Sequence, residues 1–417
     1  MLIPVICMEI WSGIMRFMFD SKEKEKKYKA VFNGLVIFAF SLFLYTLVFV
    51  VLGLVKDVRL IAWIFLYGFF VMLQNIFGAI ARGVGLSQIY ALSGIVASFV
   101  TALTTIVLML VFNMLLEALY IGAILGFIAQ IFIIEKKVKV LPNIKISMFD
   151  KVMIKRMLKF SLPLSLNSAF FWFLSSYNRV AITSNLGLSA TGMYAVAGKF
   201  TAVMTLVSTS FSLAWQELAY SKGNDQDRGE LYNAASNYYL KFLFAGLLLM
   251  TPLISVVFPF LIHENYGDAY ELVPLYLLAT AASIFSSFLG NIFGAEKKTG
   301  VIMYSTVIAA IVNVLTLHLL IGKIGTQAAN ISLFLGFLTN IIIRIAMLKN
   351  VAKIRPDKWT MIGFSVLFFL GLYLYFSKDT LWNILFAIVA SILSLLIFRE
   401  LIQKVFIAVK KSFAKKF

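Results

Sequence analysis

Residues 30–55 read AVFNGLVIFAFSLFLYTLVFVVLGLV, an apolar run without a single Asp, Glu, Lys or Arg. A run of about 17–25 apolar residues is long enough to cross the hydrocarbon core of a bilayer as a helix. The segment 22–29 just before it carries five lysines. An apolar run beside a lysine cluster predicts a transmembrane helix with one end on the basic side of a membrane.

The composition of the whole chain extends this prediction. Of the 417 residues, 61% are hydrophobic and 13% are charged, whereas soluble domains carry about 25% charged residues. A soluble fold could not bury so much apolar surface, so lipid is the expected solvent. One cysteine and seven prolines exclude a disulfide scaffold and a fibrous or disordered chain.

Apolar runs of spanning length recur along the chain and predict thirteen helices. The polar connections between them are short except at 135–157 and 215–237. The predicted spans are 1–18, 30–55, 59–81, 88–112, 114–134, 158–183, 188–214, 238–262, 271–294, 300–321, 326–347, 359–376 and 380–401.

The distribution of basic residues fixes the orientation of these helices. With segment 22–29 in the cytoplasm, every second connection is cytoplasmic, and 31 of the 37 Lys and Arg residues lie at those connections and the adjoining helix ends. This asymmetry follows the positive-inside rule. It therefore explains the net charge of +18 without a nucleic-acid partner. The opposite side holds Lys56, Arg59, Lys323 and Lys378, and two cations stay inside helices, Arg179 and Lys199.

A short internal repeat predicts two related halves. The sequence NIFGA occurs at 75–79 and again at 291–295, each time at the cytoplasmic end of a predicted helix and before a basic turn. Both copies face the same way, which is typical of parallel repeats whose substrate binds between them near the bilayer midplane. The predicted organisation is an N-terminal lobe of five helices at 1–134, a cytoplasmic linker at 135–157, a C-terminal lobe of six helices at 158–347, and an appended helix pair with a basic cytoplasmic tail at 348–417.

The start of the chain is abrupt. Met1 to Pro4 already lie in an apolar run, without the basic segment and small-residue cleavage site of a signal peptide. One lobe has five helices and the other six. We therefore expect that the N-terminal lobe lacks its first helix, through truncation or a misplaced start codon.

Several motifs together resemble a known family. They are FSLPLSLN at 160–167, NRVAI at 178–182, GLSATGMYAVAGKF at 187–200 and AWQE at 214–217, with the weaker pieces EIWSGIMRF at 9–17 and ARGVG at 81–85. The pattern is similar to the polysaccharide-biosynthesis (O-antigen, Wzx-type) flippases of the MOP exporter superfamily. The resemblance implies an all-α, MATE-like integral membrane fold of two pseudo-symmetric six-helix lobes, the first without one helix, plus a C-terminal helix pair.

The resemblance also implies a transporter and not an enzyme. Such a protein moves undecaprenyl-diphosphate-linked oligosaccharide, an O-unit or a capsule or exopolysaccharide repeat, from the inner to the outer leaflet of the bacterial cytoplasmic membrane by alternating access. The implied partners are this polyprenyl-diphosphate-linked glycan, membrane lipid, a proton or sodium as coupling ion, and a polysaccharide polymerase. No cofactor and no metal are expected.

Arg179 and Lys199 are the strongest candidates for substrate binding. A charge at the centre of a spanning helix costs about 2.5–3.5 kcal/mol and normally faces a bundle interior or a wet cavity. Both residues belong to one outer hairpin, and Lys199 is expected to lie deeper by roughly 9 Å. Together they could hold a diphosphate. In the alternative interpretation, Arg179 reaches the outer headgroups and Lys199 pairs with a helix carbonyl.

Three further residues complete the candidate set. Glu9 and Arg16 are seven residues apart and lie on one helix face. Glu9 is the candidate site for the coupling ion, and Arg16 is a candidate residue of the substrate cavity. In the alternative interpretation the two form a structural pair, with Arg16 at the cytoplasmic boundary of the membrane. Asn178 is a candidate cavity residue. Members of the resembled family often have an acidic residue at this position, just before the arginine. Because this chain has Asn178 instead, an ion pair or proton relay at this position is in doubt.

Two other functions are weighed against the flippase. A multidrug antiporter of the same fold should carry carboxylates for organic cations, whereas the intramembrane charge here leans cationic. A membrane enzyme, such as a glycosyl polymerase or acyltransferase, would need a large outer loop or membrane-facing acids and histidines. His263 and His318 lie in or near outer connections, and the sequence shows no metal-ligand spacing.

Overall fold

A computed structural model describes residues 3–55, 59–223, 225–349, 351–352, 354–399 and 403. Over this part of the chain the secondary structure is helical, with no β-strand. Eleven of the described helices are long and apolar enough to cross a membrane. The helices are α1 Ile3–Ile6, α2 Ile10–Met18, α3 Lys24–Val55, α4 Ile61–Gly83, α5 Ser87–Leu110, α6 Leu116–Val138, α7 Val140–Asn143, α8 Lys151–Lys222, α9 Arg228–Leu261, α10 Ala269–Ala295, α11 Thr299–Ile324, α12 Gln327–Leu348, α13 Lys358–Ser377 and α14 Thr380–Ile397.

The predicted and observed spans agree except at the first one. The expected spans 158–183 and 188–214 both lie in α8, which turns at Gly187. The stretch 1–18 was expected to be one helix. Its described part, from residue 3 onward, forms the short helices α1 and α2 instead. Met8 and Glu9 separate them because both adopt left-handed backbone angles, with φ of 51° and 47°, and such residues cannot continue a right-handed helix. The predicted outer cation Lys56 and the predicted basic tail after 403 lie outside the described residues.

The connection between α6 and α8 is ordered by a carboxylate. Oδ1 of Asp150 accepts hydrogen bonds from the backbone N–H groups of Val152 at 2.8 Å and Met153 at 3.1 Å, which caps the start of α8. Its Oδ2 lies 2.8 Å from Nζ of Lys29. The hydrogen bond from Lys29, followed by those from the helix N–H groups, lowers the pKa of Asp150 below its ordinary value of 3.8.

The NIFGA repeat has the same setting in both copies. Its glycines, Gly78 near the end of α4 and Gly294 near the end of α10, each face a tyrosine ring. A Cβ added at Gly78 would lie 2.8 Å from Tyr90, and one at Gly294 would lie 2.8 Å from Tyr220. Both glycines are therefore needed for the close approach of an aromatic ring, which supports the interpretation of the two motifs as one repeated device.

The helices pack into two compact units. Unit 1 comprises 1–173, 213–225 and 290–307, and unit 2 comprises 174–212, 226–289 and 308–417. Unit 1 therefore takes in the ends of α8 and α10 and the start of α11 from the second half of the sequence. The lobe boundaries expected from the sequence, 1–134 and 158–347, stay a prediction.

Within unit 2, the appended pair α13 and α14 packs on α9. Two tyrosines fix α13 to α10: the rings of Tyr270 and Tyr375 stack at 4.1 Å. Each hydroxyl donates to the backbone carbonyl of the other residue, at 2.7 and 2.8 Å. These two reciprocal hydrogen bonds offset the free-energy cost of burying the hydroxyl and carbonyl groups of both tyrosines.

Candidate functional site

The hairpin that carries the two intramembrane cations turns at Gly187. This residue has φ 88° and ψ 177°, a conformation that side chains with a Cβ essentially never adopt. The hydroxyls of Thr183 and Thr191 lie 2.8 Å apart across the turn. This contact sets the register of the two parts of α8 that flank Gly187.

Arg179 and Lys199 are both exposed on this hairpin. Among the described residues, neither forms an ion pair or a hydrogen bond through its side chain. Arg179 precedes Gly187 by 8 residues and Lys199 follows it by 12. Lys199 is therefore about 6 Å deeper than Arg179, at 1.5 Å rise per residue. This difference in depth is smaller than expected from the sequence because the turn lies at Gly187.

Exposed hydroxyls continue below Lys199 along the same helix. Thr205 and Thr209 are exposed and lie on one side of Lys199, within about a third of the helix circumference at 100° per residue. Their hydroxyls donate to the carbonyls one turn earlier, at 3.0 and 2.8 Å. Their oxygen lone pairs stay available to another donor. We call these two threonines the hydroxyl face.

A separate exposed face of this helix segment is apolar. Val203, Val207 and Phe211 follow one another at four-residue intervals on the other side of Lys199 and are 60%, 49% and 40% exposed. The two threonines and these three apolar side chains thus lie on opposite sides of Lys199, with exposed Leu206 and Ser210 on the helix surface between them. The hydroxyl face was not predicted from the sequence, although the four-residue spacing of its threonines was a readable signal.

Asn178 lies in the interior of unit 2. Its side chain is fully buried and donates to the carbonyl of Ala329 at 2.8 Å and to the hydroxyl of Ser332 at 3.4 Å. Its own carbonyl oxygen accepts from Asn313 at 2.8 Å. These bonds join α8 to α11 and α12. The amide is therefore occupied by helix packing, and we leave Asn178 out of the proposed binding surface.

Arg16 belongs to unit 1 and is 2% exposed. Its Nε and Nη2 donate to the carbonyl of Ala295, the last residue of α10, at 3.1 and 2.6 Å. Its Nη1 lies 2.8 Å from Asp20, and its guanidinium carbon lies 5.6 Å from the ring centre of Tyr220. The guanidinium of this candidate substrate-binding residue is therefore bound by other groups of the protein.

Glu9 stands at the break between α1 and α2, also in unit 1. Its carboxylate accepts hydrogen bonds from the hydroxyls of Ser168 at 2.6 Å and Ser12 at 3.4 Å. Among the described residues, no cation forms an ion pair with it. A carboxylate held by two hydroxyls keeps lone pairs for a proton or a monovalent cation.

Two polar pairs near the ends of helices were not assigned a role from the sequence. Arg82 donates to Gln216 at 3.1 Å, and Ser87 donates to Glu217 at 2.5 Å. The sequence contained a signal for these pairs, because polar Gln216 and Glu217 follow Trp215 just after the end of a predicted span. Across the described ranges, no three His, Cys, Asp or Glu side chains come together in a metal-binding group.

Comparison with solved structures identifies the fold. A MATE transporter in its bent conformation is 14% identical with a TM-score of 0.68, and the match covers 89% of this chain and 85% of that one. An outward-facing multidrug resistance MATE family transporter of the MOP superfamily is 14% identical with a TM-score of 0.65, over 88% and 85%. A mutant of the Vibrio cholerae MATE transporter VcmN is 13% identical with a TM-score of 0.66, over 84% and 86%.

The expected all-α, MATE-like fold class is therefore confirmed. No protein-family model matches the chain, and no curated protein matches it either. At these identities the likeness shows the fold alone. The narrower resemblance to polysaccharide flippases stays a prediction.

Proposed function

We propose that this chain is a multi-pass membrane transporter that moves a polyprenyl-diphosphate-linked oligosaccharide from the inner to the outer leaflet of a bacterial cytoplasmic membrane. Alternating access of the MATE-like fold would carry the headgroup across the bilayer. The proposal rests on one observation above all: two exposed cations, Arg179 and Lys199, lie on one hairpin of a spanning helix without an acidic partner among the described residues.

An anionic headgroup is the ligand that best fits this cationic pair. A guanidinium binds phosphate oxygens through two parallel hydrogen bonds, whereas an ammonium acts as a mobile point charge. The difference in depth of about 6 Å, at 1.5 Å per residue, is suited to a diphosphate that passes from one cation to the other. Phosphate would also offset the cost of keeping these charges within the membrane.

The hydroxyl face below Lys199 supports a glycan as the rest of the headgroup. Thr205 and Thr209 present oxygens that can accept hydrogen bonds from sugar hydroxyls. The apolar face on the other side of Lys199, with Val203 and Val207, suits acyl or polyprenyl chains. One helix segment thus offers both hydroxyl groups and apolar surface to a lipid-linked sugar.

Glu9 is the proposed site of the coupling ion. A proton or a sodium ion on this carboxylate would neutralise a group that is otherwise held only by Ser12 and Ser168 among the described residues. Exchange of that ion would bias the equilibrium between two states of the transporter, provided that the ion binds them with different affinity.

A cation or drug antiporter is the second candidate, because a multidrug resistance transporter shares the fold. Glu9 is the feature of the chain that favours it. Proteoliposomes separate the two candidates. We expect the purified protein to move a fluorescent polyprenyl-diphosphate sugar between leaflets, measured by quenching of outer-leaflet fluorophore with dithionite. Transport of an organic cation dye, with no movement of the lipid sugar, would contradict the proposal.

A further inference from the structure

A set of polar contacts in unit 1 joins helix ends that are far apart in sequence. We call this set the clasp. Its members are Arg16, Asp20, Arg82, Ser87, Gln216, Tyr220, Glu217, the carbonyl of Ala295, and Lys297. All of them lie at the ends of spans or in the connections that the basic-residue distribution places on the cytoplasmic side.

Arg16 is the centre of the clasp. Through two hydrogen bonds it holds the carbonyl of Ala295 at the C-terminus of α10, where the helix dipole favours a cation. Asp20 bridges Arg16 at 2.8 Å and Lys297 at 2.5 Å. Breaking these bonds while Arg16 stays buried would leave a charge without a partner, which is unfavourable. A half-open clasp, with Arg16 still buried but without its partners, is therefore unfavourable compared with a closed or a fully open clasp.

The second part of the clasp is continuous with the first. Gln216 accepts a hydrogen bond from Arg82 and donates to the hydroxyl of Tyr220 at 3.4 Å. The ring of Tyr220 in turn lies against Arg16. One residue further along α8, Glu217 accepts from Ser87 at the start of α5. The two parts can therefore open and close together.

The contacts across the clasp connect the two predicted repeats. Arg16, Asp20, Arg82 and Ser87 come from 1–134, and the groups that they meet, on Gln216, Glu217, Ala295 and Lys297, come from 158–347. Substrate that enters a MATE-like transporter from the cytoplasm must pass between its halves. Bonds that join the halves at their cytoplasmic helix ends therefore have to break before substrate can enter there.

We propose that the clasp is the cytoplasmic gate of the transporter, closed in this structure and broken whenever the substrate site opens to the cytoplasm. The proposal depends on the proposed transport function for its purpose, but the opening itself can be measured without substrate. Weakening the clasp should raise the population of the cytoplasm-open state, because an equilibrium shifts by the free energy removed from one of its states.

The conformational test uses a cysteine at Ser161, which is buried and packs on Gly13 of α2, in a Cys7→Ala background. The rate of alkylation by a water-soluble maleimide reports opening. We expect Glu217→Gln, which keeps an acceptor for Ser87 but removes the charge, to raise this rate about fivefold, as when a charge-assisted hydrogen bond becomes a neutral one. Glu23→Gln, which removes an exposed ion pair with Lys26, is the control and should leave the rate unchanged. Equal rates in Glu217→Gln and wild type would overturn the gate.

The second test locks the clasp instead of weakening it. Ser87→Cys and Glu217→Cys, in the same background, are joined by a short bifunctional thiol reagent. We expect joining to stop both the alkylation at position 161 and the movement of lipid sugar, and cleavage of the reagent to restore them. If alkylation continues in the joined protein, the gate is contradicted whatever the substrate proves to be. If alkylation stops while no lipid sugar moves in any variant, the gate stands and the proposed substrate is wrong.

Discussion

Single residues carry the proposed chemistry. Arg179 and Lys199 could be singled out from the sequence because a charge within a long apolar run is costly. Their lack of an acidic partner among the described residues could not, since partners of an intramembrane charge come from other helices. Asn178 shows the same limit: its neighbours Asn313 and Ala329 lie more than a hundred positions away.

The cationic pair gives the first prediction. We expect Arg179→Ala and Lys199→Ala each to lower lipid-sugar movement about tenfold or more, because each removes a hydrogen bond between charged groups. Lys323→Ala removes an exposed cation from the same side of the membrane and should leave movement unchanged. Protein levels in the membrane should be equal in all three. Wild-type movement in both alanine variants would refute the role of the pair.

Asn178 gives the opposite kind of prediction. Asn178→Ala removes three hydrogen bonds inside unit 2 and should destabilise the protein by about 2 kcal/mol, taking about 0.6 kcal/mol for each bond within a membrane. The midpoint of thermal unfolding in detergent measures this. Asn143→Ala loses one bond to the carbonyl of Lys139 in the cytoplasmic connection and should change the midpoint less. If the Asn178→Ala variant were as stable as wild type but inactive, Asn178 would have to be interpreted as a substrate-binding residue.

At the scale of single elements, apolar length and charge predicted twelve of the spans, and the break at Met8 and Glu9 escaped prediction. Hydropathy reports whether a segment can lie in lipid, not whether its backbone is continuous. The φ angles of these two residues depend on packing against other helices. The turn at Gly187 was easier to place, because a glycine in an uncharged polar stretch is typical of a hairpin.

Gly187 tests the geometry of the hairpin directly. Gly187→Ala should destabilise the protein by about 1–3 kcal/mol, because its φ of 88° and ψ of 177° suit glycine almost alone. A Cβ there would meet no atom within 4 Å, so strain is the sole cause. Gly322→Ala is the matched control: it also has open space but lies within α11, where alanine is favoured by about 1 kcal/mol. Equal unfolding midpoints for the two variants would rule out the strained turn.

The cap of α8 predicts a pH dependence. The pKa of Asp150 is lowered in the folded protein by the hydrogen bond from Lys29 and those from the helix N–H groups. The stability that its charge contributes is therefore present above the ordinary pKa of 3.8 and is lost as the pH falls through the lower, folded value. Asp150→Asn keeps a capping oxygen and removes the charge.

We expect the unfolding midpoint of wild type to exceed that of Asp150→Asn at pH 6, the difference to shrink as the pH falls below 3.8, and the two to converge below the folded pKa. Glu23→Gln, on an exposed ion pair, should follow wild type throughout. A gap between wild type and Asp150→Asn that is constant from pH 3 to pH 7 would show that the charge is not the stabilising factor.

For the whole molecule, the number of spans, the distribution of lysines and the NIFGA repeat predicted a multi-pass membrane protein of two related halves. The resemblance of the family motifs implied the MATE-like fold class. Contacts between distant helix ends were beyond the reach of the sequence. Arg16 stays a predicted residue of the substrate cavity. The contacts of its guanidinium with Ala295 and Asp20 could not be predicted. A backbone carbonyl such as that of Ala295 cannot be recognised as a partner from the sequence, because every residue has the same group.

The central claim is that the protein recognises an anionic, phosphorylated headgroup through Arg179 and Lys199. The most direct measurement is the affinity of the purified protein for a polyprenyl-diphosphate sugar, beside the same lipid sugar without phosphate and an organic cation. We predict preference for the diphosphate, and a loss of about a hundredfold in the Arg179→Ala, Lys199→Ala double variant from two charged hydrogen bonds. Equal affinity in the double variant, or tighter binding of the organic cation, would contradict the claim.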